Sequence, residues 1–427
     1  MRRIIPASGK PMNSSTKLEV NGRQYLKPTK PVVVVCIDGC EPEYIDLAIR
    51  AGRAPWFATT CETGARLTVD CVVPSFTNPN NLSIVTGTPP AVHGISGNFF
   101  LDPESGEAVM MNEPRFLRAP TLFKEFAAQG AKIAIVTAKD KLRRLLGNGL
   151  SFDGTGHICF SSEQADRVSA AENGIDEVLE LVGQPLPSVY SAALSEFVFA
   201  AGVKLMQRHA PDIMYLSTTD YVQHKHAPGT DDANDFYAMM DGYLAQLDTL
   251  GVTIAITADH GMNAKHDASG KVNVIYLQDL LDGWLGAGQT QVILPITDPY
   301  VVHHGALGSF ATVYTDNSVD VGALLEKVRS VDGVEYADTR ANACERFELP
   351  PERLGDMVIV SERAMTLGTA AADHDLSGLD APLRSHGGIS EQRVPLILNK
   401  PLHDIDPSAT YRNFDAFHLA LNHTRNT

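Results

Sequence analysis

Four stretches of the chain share one pattern: a short β-favouring apolar run that stops abruptly at polar residues able to do chemistry. KPVVVVCIDGC ends on Asp38 and Gly39, and AKIAIV (Ala131 to Val136) leads into Thr137, Lys139 and Lys141. Ile213 to Leu216 leads into Ser217-Thr218-Thr219-Asp220, and Val252 to Ile256 into Thr257-Ala258-Asp259-His260. Continuous apolar runs of this length predict strands buried on both faces. Between them lie helix-patterned stretches, Thr121 to Gln129, Tyr190 to His209 and Asp231 to Leu250. Strands alternating with helices predict a parallel sheet covered on both faces. In such sheets ligands sit beyond the carboxyl ends of the strands, where every polar cluster just named falls.

The pattern changes after Gly261. From about Lys271 to Thr369 the chain has its own short strands (VNVIYL, TQVILP, FATVYT, DMVIVS) and a helix, Val321 to Val331. No metal-type residues stand at these strand ends, so the segment predicts an inserted, smaller α/β unit. The expected division is a polar lead-in over 1–30, a core over 31–268, an inserted cap over 269–372 and a return to the core over 373–427. That return carries AADHDLSGLDAPLRSHGGIS and one more apolar strand, VPLILN.

Composition narrows the classes. The 427 residues carry 35 Lys+Arg against 51 Asp+Glu, a formal charge of −16, with 44% hydrophobic and 20% charged residues. That apolar content suits a large core and argues against wholesale disorder. An acidic surface is repelled by phosphate backbones, so nucleic acid and anionic membranes are expected not to be partners. No apolar run approaches the roughly 20 residues needed to span a bilayer, and MRRIIPASGKPMNSS lacks the apolar core of a secretory signal. The expectation is a soluble, cytoplasmic protein. Cys36, Cys40, Cys61, Cys71, Cys159 and Cys344 form no C-x-x-C pair and are expected as thiols.

The ionisable residues at the strand ends form a set: Asp38, then Asp220 and His224 in DYVQH, then Asp259 and His260 in ADHG, and finally His386 in SHGG. Three carboxylates and three imidazoles suit one or two zinc ions, which take nitrogen and oxygen ligands at low coordination number. Asp220 and His224 are spaced i, i+4, so a helical first turn would project both from one face. Each element alone is weak: an Asp after a strand is commonly a helix N-cap, and D-x-x-x-H arises often by chance. Their shared placement after strands of one sheet is what points to metal. Nucleophile candidates lie in VVPSFTNPNNLSIVTG, between an extended entry (Cys71 to Val73) and a helical run (Asn80 to Val85). Ser75, Phe76 and Thr77 are expected at the helix N-terminus, where free N–H groups favour an anion; either hydroxyl could instead cap the helix.

The combination of CIDG, PSFTNPNNLSIVTG, HGISGN, STTDYVQHKH, TADHGM and SHGG, in that order over about 350 residues, resembles the alkaline phosphatase superfamily. Within it, the chain is similar to the branch holding nucleotide pyrophosphatases and phosphonoacetate hydrolases. The resemblance implies an α/β fold, an alkaline phosphatase-like core with a mainly parallel sheet sandwiched by helices, plus the smaller cap. It implies two Zn²⁺ per chain, with Asp220, His224 and His386 on one and Asp38, Asp259, His260 and the Thr77 oxygen on the other. Thr77 is then the nucleophile, and Asn98 a donor to a phosphonate oxygen, with His224 also at the substrate. A sulfatase would need Cys or Ser in a C/S-x-P-x-R context, whereas Thr77 is followed by Asn78. Within the branch, TNPNN and TAKDK favour cleavage of the C–P bond of phosphonoacetate to acetate and phosphate through a phospho-threonine. Lys139 and Lys141 would answer the extra carboxylate of that small anionic substrate; otherwise they are solvated surface groups. The competing expectations are a nucleotide pyrophosphatase or phosphodiesterase, and a non-catalytic metal-dependent binding protein. A homodimer is a family expectation. His303 and His304 are read as ordinary polar residues rather than a lid, and His226 and His266 have no assigned role.

Overall fold

All five residues of Val32–Cys36 (β1) are buried, as are all of Ile133–Thr137 (β3), Ile213–Ser217 (β5) and Thr253–Thr257 (β6). The computed structural model, which describes residues 17–297 and 306–424, assembles these strands into one sheet. With Ala65–Asp70 (β2), Ile158–Ser161 (β4) and Arg393–Leu398 (β7), the sheet order is β2-β7-β6-β1-β5-β3-β4. The neighbours β6, β1, β5, β3 and β4 pair in parallel. Strand β7, the VPLILN segment, runs antiparallel to both β6 and β2. This reversal matters for the site. The amino end of β7 lies at the carboxyl edge of the parallel strands, so His386, a short loop upstream, is delivered to that edge.

The two long helices form where the pattern predicts, over Ala193–His209 and Asp231–Thr249, the first starting three residues later than expected. Their buried side chains, Phe197, Phe199, Tyr237 and Leu244 among them, join the sheet in one hydrophobic core. Part of the lead-in is not loose chain. Lys17–Val20 and Arg23–Leu26 form an antiparallel hairpin whose turn, Asn21-Gly22, takes positive φ at both residues (50° and 79°). Asn-Gly is the preferred pair for such a turn. Tyr25 is fully buried and Arg23 pairs with Asp415 at 2.5 Å, tying the hairpin to the C-terminal region.

A second, four-stranded antiparallel sheet comprises Thr290–Ile293, Phe310–Thr315, Met357–Ser361 and Val334–Thr339, in that order. The helices Val321–Arg329 and Arg340–Phe347 belong with it, over a separate hydrophobic cluster. VNVIYL does not join this sheet: Val274–Tyr276 pairs in parallel with Thr366–Gly368. Val73 and Phe76, from the segment that enters the candidate nucleophile helix, pack into the second cluster. The two cores therefore meet beside the site. His303 and His304 lie outside the described residues. Among the described residues no helix is long and apolar enough to cross a membrane.

Candidate active site

Asp38 leaves β1 with its N–H donating to Thr218 Oγ1 (2.9 Å), which ties the end of β1 to the end of β5. Asp220 precedes the helix Tyr221–Lys225, and one turn later His224 brings Nε2 to 2.8 Å from Asp220 Oδ2. His386 Nε2 approaches the same oxygen at 3.6 Å. On the other side His260 Nε2 lies 3.2 Å from Asp38 Oδ1 and 3.8 Å from Asp259 Oδ2. The ligand atoms fall into two overlapping buried groups, Asp220/His224/His386 and Asp38/Asp220/His260, with Asp220 common to both. Asp259 stands just outside these groups. Its Oδ1 accepts from the N–H groups of Gly39 (3.3 Å) and His260 (3.1 Å), and its Oδ2 from Asn81 Nδ2 (3.2 Å).

Each imidazole is oriented from behind by a backbone carbonyl. Nδ1 of His224 meets Arg384 O at 2.7 Å, Nδ1 of His260 meets Gly261 O at 2.9 Å, and Nδ1 of His386 meets Ser75 O at 2.8 Å. A carbonyl only accepts, so each Nδ1 carries a proton and each ring turns its Nε2 to the centre. That is the arrangement of a metal-ligating histidine. Asp38 Oδ1 and His260 Nε2, though close, are buried without a hydrogen bond of acceptable geometry. Charge gives the same indication. Burial, with Asp220 and Asp259 nearby, pushes the Asp38 carboxyl well above the usual range. Burial opposes the charged form of His260, yet Asp259 and Asp38 raise it to about 10. Three buried carboxylates facing each other call for cationic compensation, and the nitrogen and oxygen donor set fits zinc.

The helix Thr77–Thr86 starts three residues before the expected run. Pro79 is tolerated because the first-turn N–H groups of a helix have no intrahelical partner. Neither hydroxyl caps it: Phe76 is the N-cap, with no side-chain bond. Ser75 Oγ instead donates to Gly388 O (2.9 Å) and accepts from Gly387 N–H (3.0 Å). Thr77 lines a cavity of about 70 Å³ with Asp38, Asn98, Lys139, Lys141, Asp220 and His386, and with the apolar side chains of Met110, Leu142 and Ile296. Asn98 Oδ1 accepts the Asn78 N–H at 3.0 Å, which presents its Nδ2 as a donor for a ligand. Lys139 is the N-cap residue of the helix Asp140–Leu146, so both lysines reach the cavity from one turn after β3. Burial, with the charge of Lys139, lowers Lys141 to about 8.

Several site residues escaped the sequence reading. Asn81 holds Asp259 while its Oδ1 accepts from Tyr215 OH (2.8 Å) and Ser217 Oγ (3.1 Å). Its place one turn after Thr77 was the available signal. Arg384 supplies the carbonyl behind His224 and sends its guanidinium to Gln223 O and Met262 O. His226 pairs with Asp232 (3.2 Å) and His266 Nδ1 bonds Asp267 O (2.8 Å), each on its own surface contact.

A largely parallel α/β sheet whose carboxyl edge holds overlapping carboxylate–imidazole clusters beside a threonine at a helix N-terminus defines the alkaline phosphatase class of fold. The alkaline phosphatase PafA shares it, with a TM-score of 0.62 at 16% identity over 92% of this chain and 96% of that one. More particularly, the chain belongs to the Type I phosphodiesterase / nucleotide pyrophosphatase family, whose profile matches residues 32–388. Phosphonoacetate hydrolase from Sinorhizobium meliloti, solved with phosphonoformate and with phosphonoacetate, is 57% identical, with a TM-score of 0.93 over 96% of this chain and 99% of that one. A Caenorhabditis elegans ectonucleotide pyrophosphatase/phosphodiesterase is 24% identical over 376 residues, 85% of this chain, which spans only 38% of that relative's length.

Proposed function

We propose that the chain hydrolyses the C–P bond of phosphonoacetate, giving acetate and phosphate, with Thr77 as nucleophile. The observation that carries this reading is the meeting of Lys139 and Lys141 with Thr77, Asn98 and three members of the carboxylate–imidazole clusters, Asp38, Asp220 and His386, around one small cavity. Among the described residues no Phe, Tyr or Trp lines that cavity, whereas a nucleotide would call for an aromatic slot for its base. The likeness to the Sinorhizobium meliloti enzyme supports the same substrate.

Asp220, His224 and His386 would hold one zinc ion, and Asp38, Asp259 and His260, together with the Thr77 oxygen, the second. Zinc so held would supply Lewis acidity at the phosphonate oxygens and would lower the pKa of the Thr77 hydroxyl. Thr77 Oγ1, its proton passed to water, attacks phosphorus in line; the O–P bond forms as P–C breaks. The electron pair of that bond passes to the leaving carbon and is delocalised into the adjacent carboxylate as an enediolate, which water protonates to acetate. Lys139 and Lys141 stabilise that charge as it grows, a contribution of about 3–4 kcal/mol per donor where donors are preorganised. Asn98 Nδ2 donates to a phosphonate oxygen and keeps phosphorus facing Thr77. Water then cleaves the phospho-threonine, restoring the hydroxyl and releasing phosphate. A reducing, cytoplasmic setting belongs to the same proposal and is supported by six unpaired cysteines.

The test compares phosphate release from phosphonoacetate with cleavage of a p-nitrophenyl nucleotide ester by one preparation. Faster turnover of phosphonoacetate is expected; turnover of the ester alone would transfer the chain to nucleotide pyrophosphatase chemistry.

A further inference from the structure

Lys139 and Lys141 stand where two cavities meet. The inner one holds Thr77 and Asp220; the outer, of about 610 Å³, is lined by the same two lysines with Arg144, Glu163, Gln164 and Tyr190. A lysine side chain is long and loses about 2 kcal/mol of rotamer entropy when fixed, so two of them on a mobile turn would recognise a carboxylate poorly. This turn is instead laced to the end of β4. Asp140, the residue between the lysines, donates its N–H to Glu163 Oε2 at 2.8 Å, and its Oδ1 accepts from Ser161 Oγ at 3.1 Å and from Arg143 Nε at 2.5 Å. Thr137 Oγ1 donates to Lys139 O (2.9 Å). Backbone bonds repeat the tie, from Ser162 N–H to Thr137 O (2.8 Å) and from Glu163 N–H to Ala138 O (3.0 Å).

We infer that Glu163 is a positioning residue for carboxylate recognition: by accepting the Asp140 N–H it fixes the turn from which Lys139 and Lys141 engage the substrate. The inference rests on the reading that these lysines bind the carboxylate of phosphonoacetate. Glu163 is half-buried and lines only the outer cavity, so it touches neither the reacting atoms nor the ligand clusters. Its charge also favours the protonated form of Lys141, against burial and the repulsion of Lys139. The hydrogen bond and the charge are separable, because glutamine keeps the acceptor oxygen and loses the charge.

Wild type, Glu163→Ala and Glu163→Gln would be compared by kcat/KM for phosphonoacetate and by the inhibition constant of inorganic phosphate, which has no carboxylate. Alanine is expected to lower kcat/KM about tenfold, the scale of one lost hydrogen bond, while the phosphate constant moves less than about twofold. Glutamine should restore kcat/KM to within about threefold of wild type. A phosphate constant that worsens in step with kcat/KM, or glutamine no better than alanine, overturns the assignment. Should Glu163→Ala not fold, Ser161→Ala removes a different tie to Asp140 and must give the same divergence of the two constants. A wild-type protein inert toward phosphonoacetate would defeat the underlying reading before any variant is compared.

Discussion

Ser75 and Thr77 stand two positions apart and have opposite fates. The Ser75 hydroxyl is fully employed between Gly387 and Gly388, behind His386, whereas Thr77 opens its helix into the cavity. Thr77→Ala should therefore lower phosphonoacetate turnover by at least about 1,000-fold, as loss of a nucleophile does, while metal analysis still finds about two zinc ions per chain. Normal phosphate release by that variant would remove Thr77 from the reaction. Replacing Lys139 and Lys141 together by alanine should reduce phosphonoacetate hydrolysis at least about 100-fold more than that of a p-nitrophenyl ester, since only the former needs its leaving carboxylate held. Equal losses would make the lysines general anion binders. His93 gives a prediction about acid stability. It accepts the Ile95 N–H on Nδ1 (3.1 Å), so its Nε2 carries the proton and donates to Ser83 Oγ (2.9 Å). Burial, with Arg353 nearby, lowers it from the usual 6.5 to about 3. A depressed pKa gives stability that is whole above the unfolded value and drains as pH falls toward the folded one. From pH 7 to 5 this group should cost about 2 kcal/mol, and His93→Asn should show a shallower decline of unfolding free energy over that interval. An unchanged slope would rule His93 out as a source of acid lability.

Elements, rather than single residues, decide how much could be read in advance. The strands β1, β3, β5 and β6 are legible because a strand buried on both faces is written as an unbroken apolar run, and the ligands follow directly. Strand β2, ARLTVD, alternates exposed and covered positions and carries two charges, so it gave no such run. The Asn21-Gly22 hairpin had a usable turn signal that its polar surroundings obscured. What no local pattern can encode is a tertiary ion pair. Lys265 is fully buried, with Nζ bonded to Glu391 Oε1 (2.9 Å), Ser309 Oγ (2.7 Å) and Arg363 O (2.8 Å). Glu391 also accepts from Asn263 Nδ2 (2.6 Å) and, through Oε2, from Gly388 N–H (2.9 Å). The pair thus joins the loop after His260, the loop after His386 and the second sheet. Lys265→Met should destabilise the protein by about 3–5 kcal/mol in denaturant titration, because Glu391 is left charged and buried. Adding Glu391→Leu should recover part of that loss. A double variant as unstable as the sum of the two single ones would show that the pair acts only through its separate hydrogen bonds.

At the scale of the whole molecule, the formal charge of −16 and a substrate that is itself an anion are reconciled by where the carboxylates sit. Asp38, Asp220 and Asp259 face inward, and two divalent ions there would bring the chain to about −12 while leaving the pocket, with Lys139 and Lys141, net positive. A negative exterior repels polyanions that must spread over it; a small phosphonate meets mainly the local field. The same ions would also brace the fold by their position. The Phe76 ring packs edge-on against His386 and Phe310, so the nucleophile helix, one proposed metal ligand and the second core share a single junction. Without cations that junction contains three buried carboxylates balanced by histidines, peptide donors and the Asn81 amide. Chelation should therefore weaken the fold as well as the chemistry, by about 4 kcal/mol for each ion lost where free zinc stood at about 1,000 times its dissociation constant. Melting curves before and after stripping, with metal loss verified, should show a lower midpoint that zinc restores and magnesium does not, since magnesium prefers six oxygen ligands to imidazole. An unaltered midpoint in verified metal-free protein would mean that the clusters are self-balanced, and the argument from buried charge would fail with it.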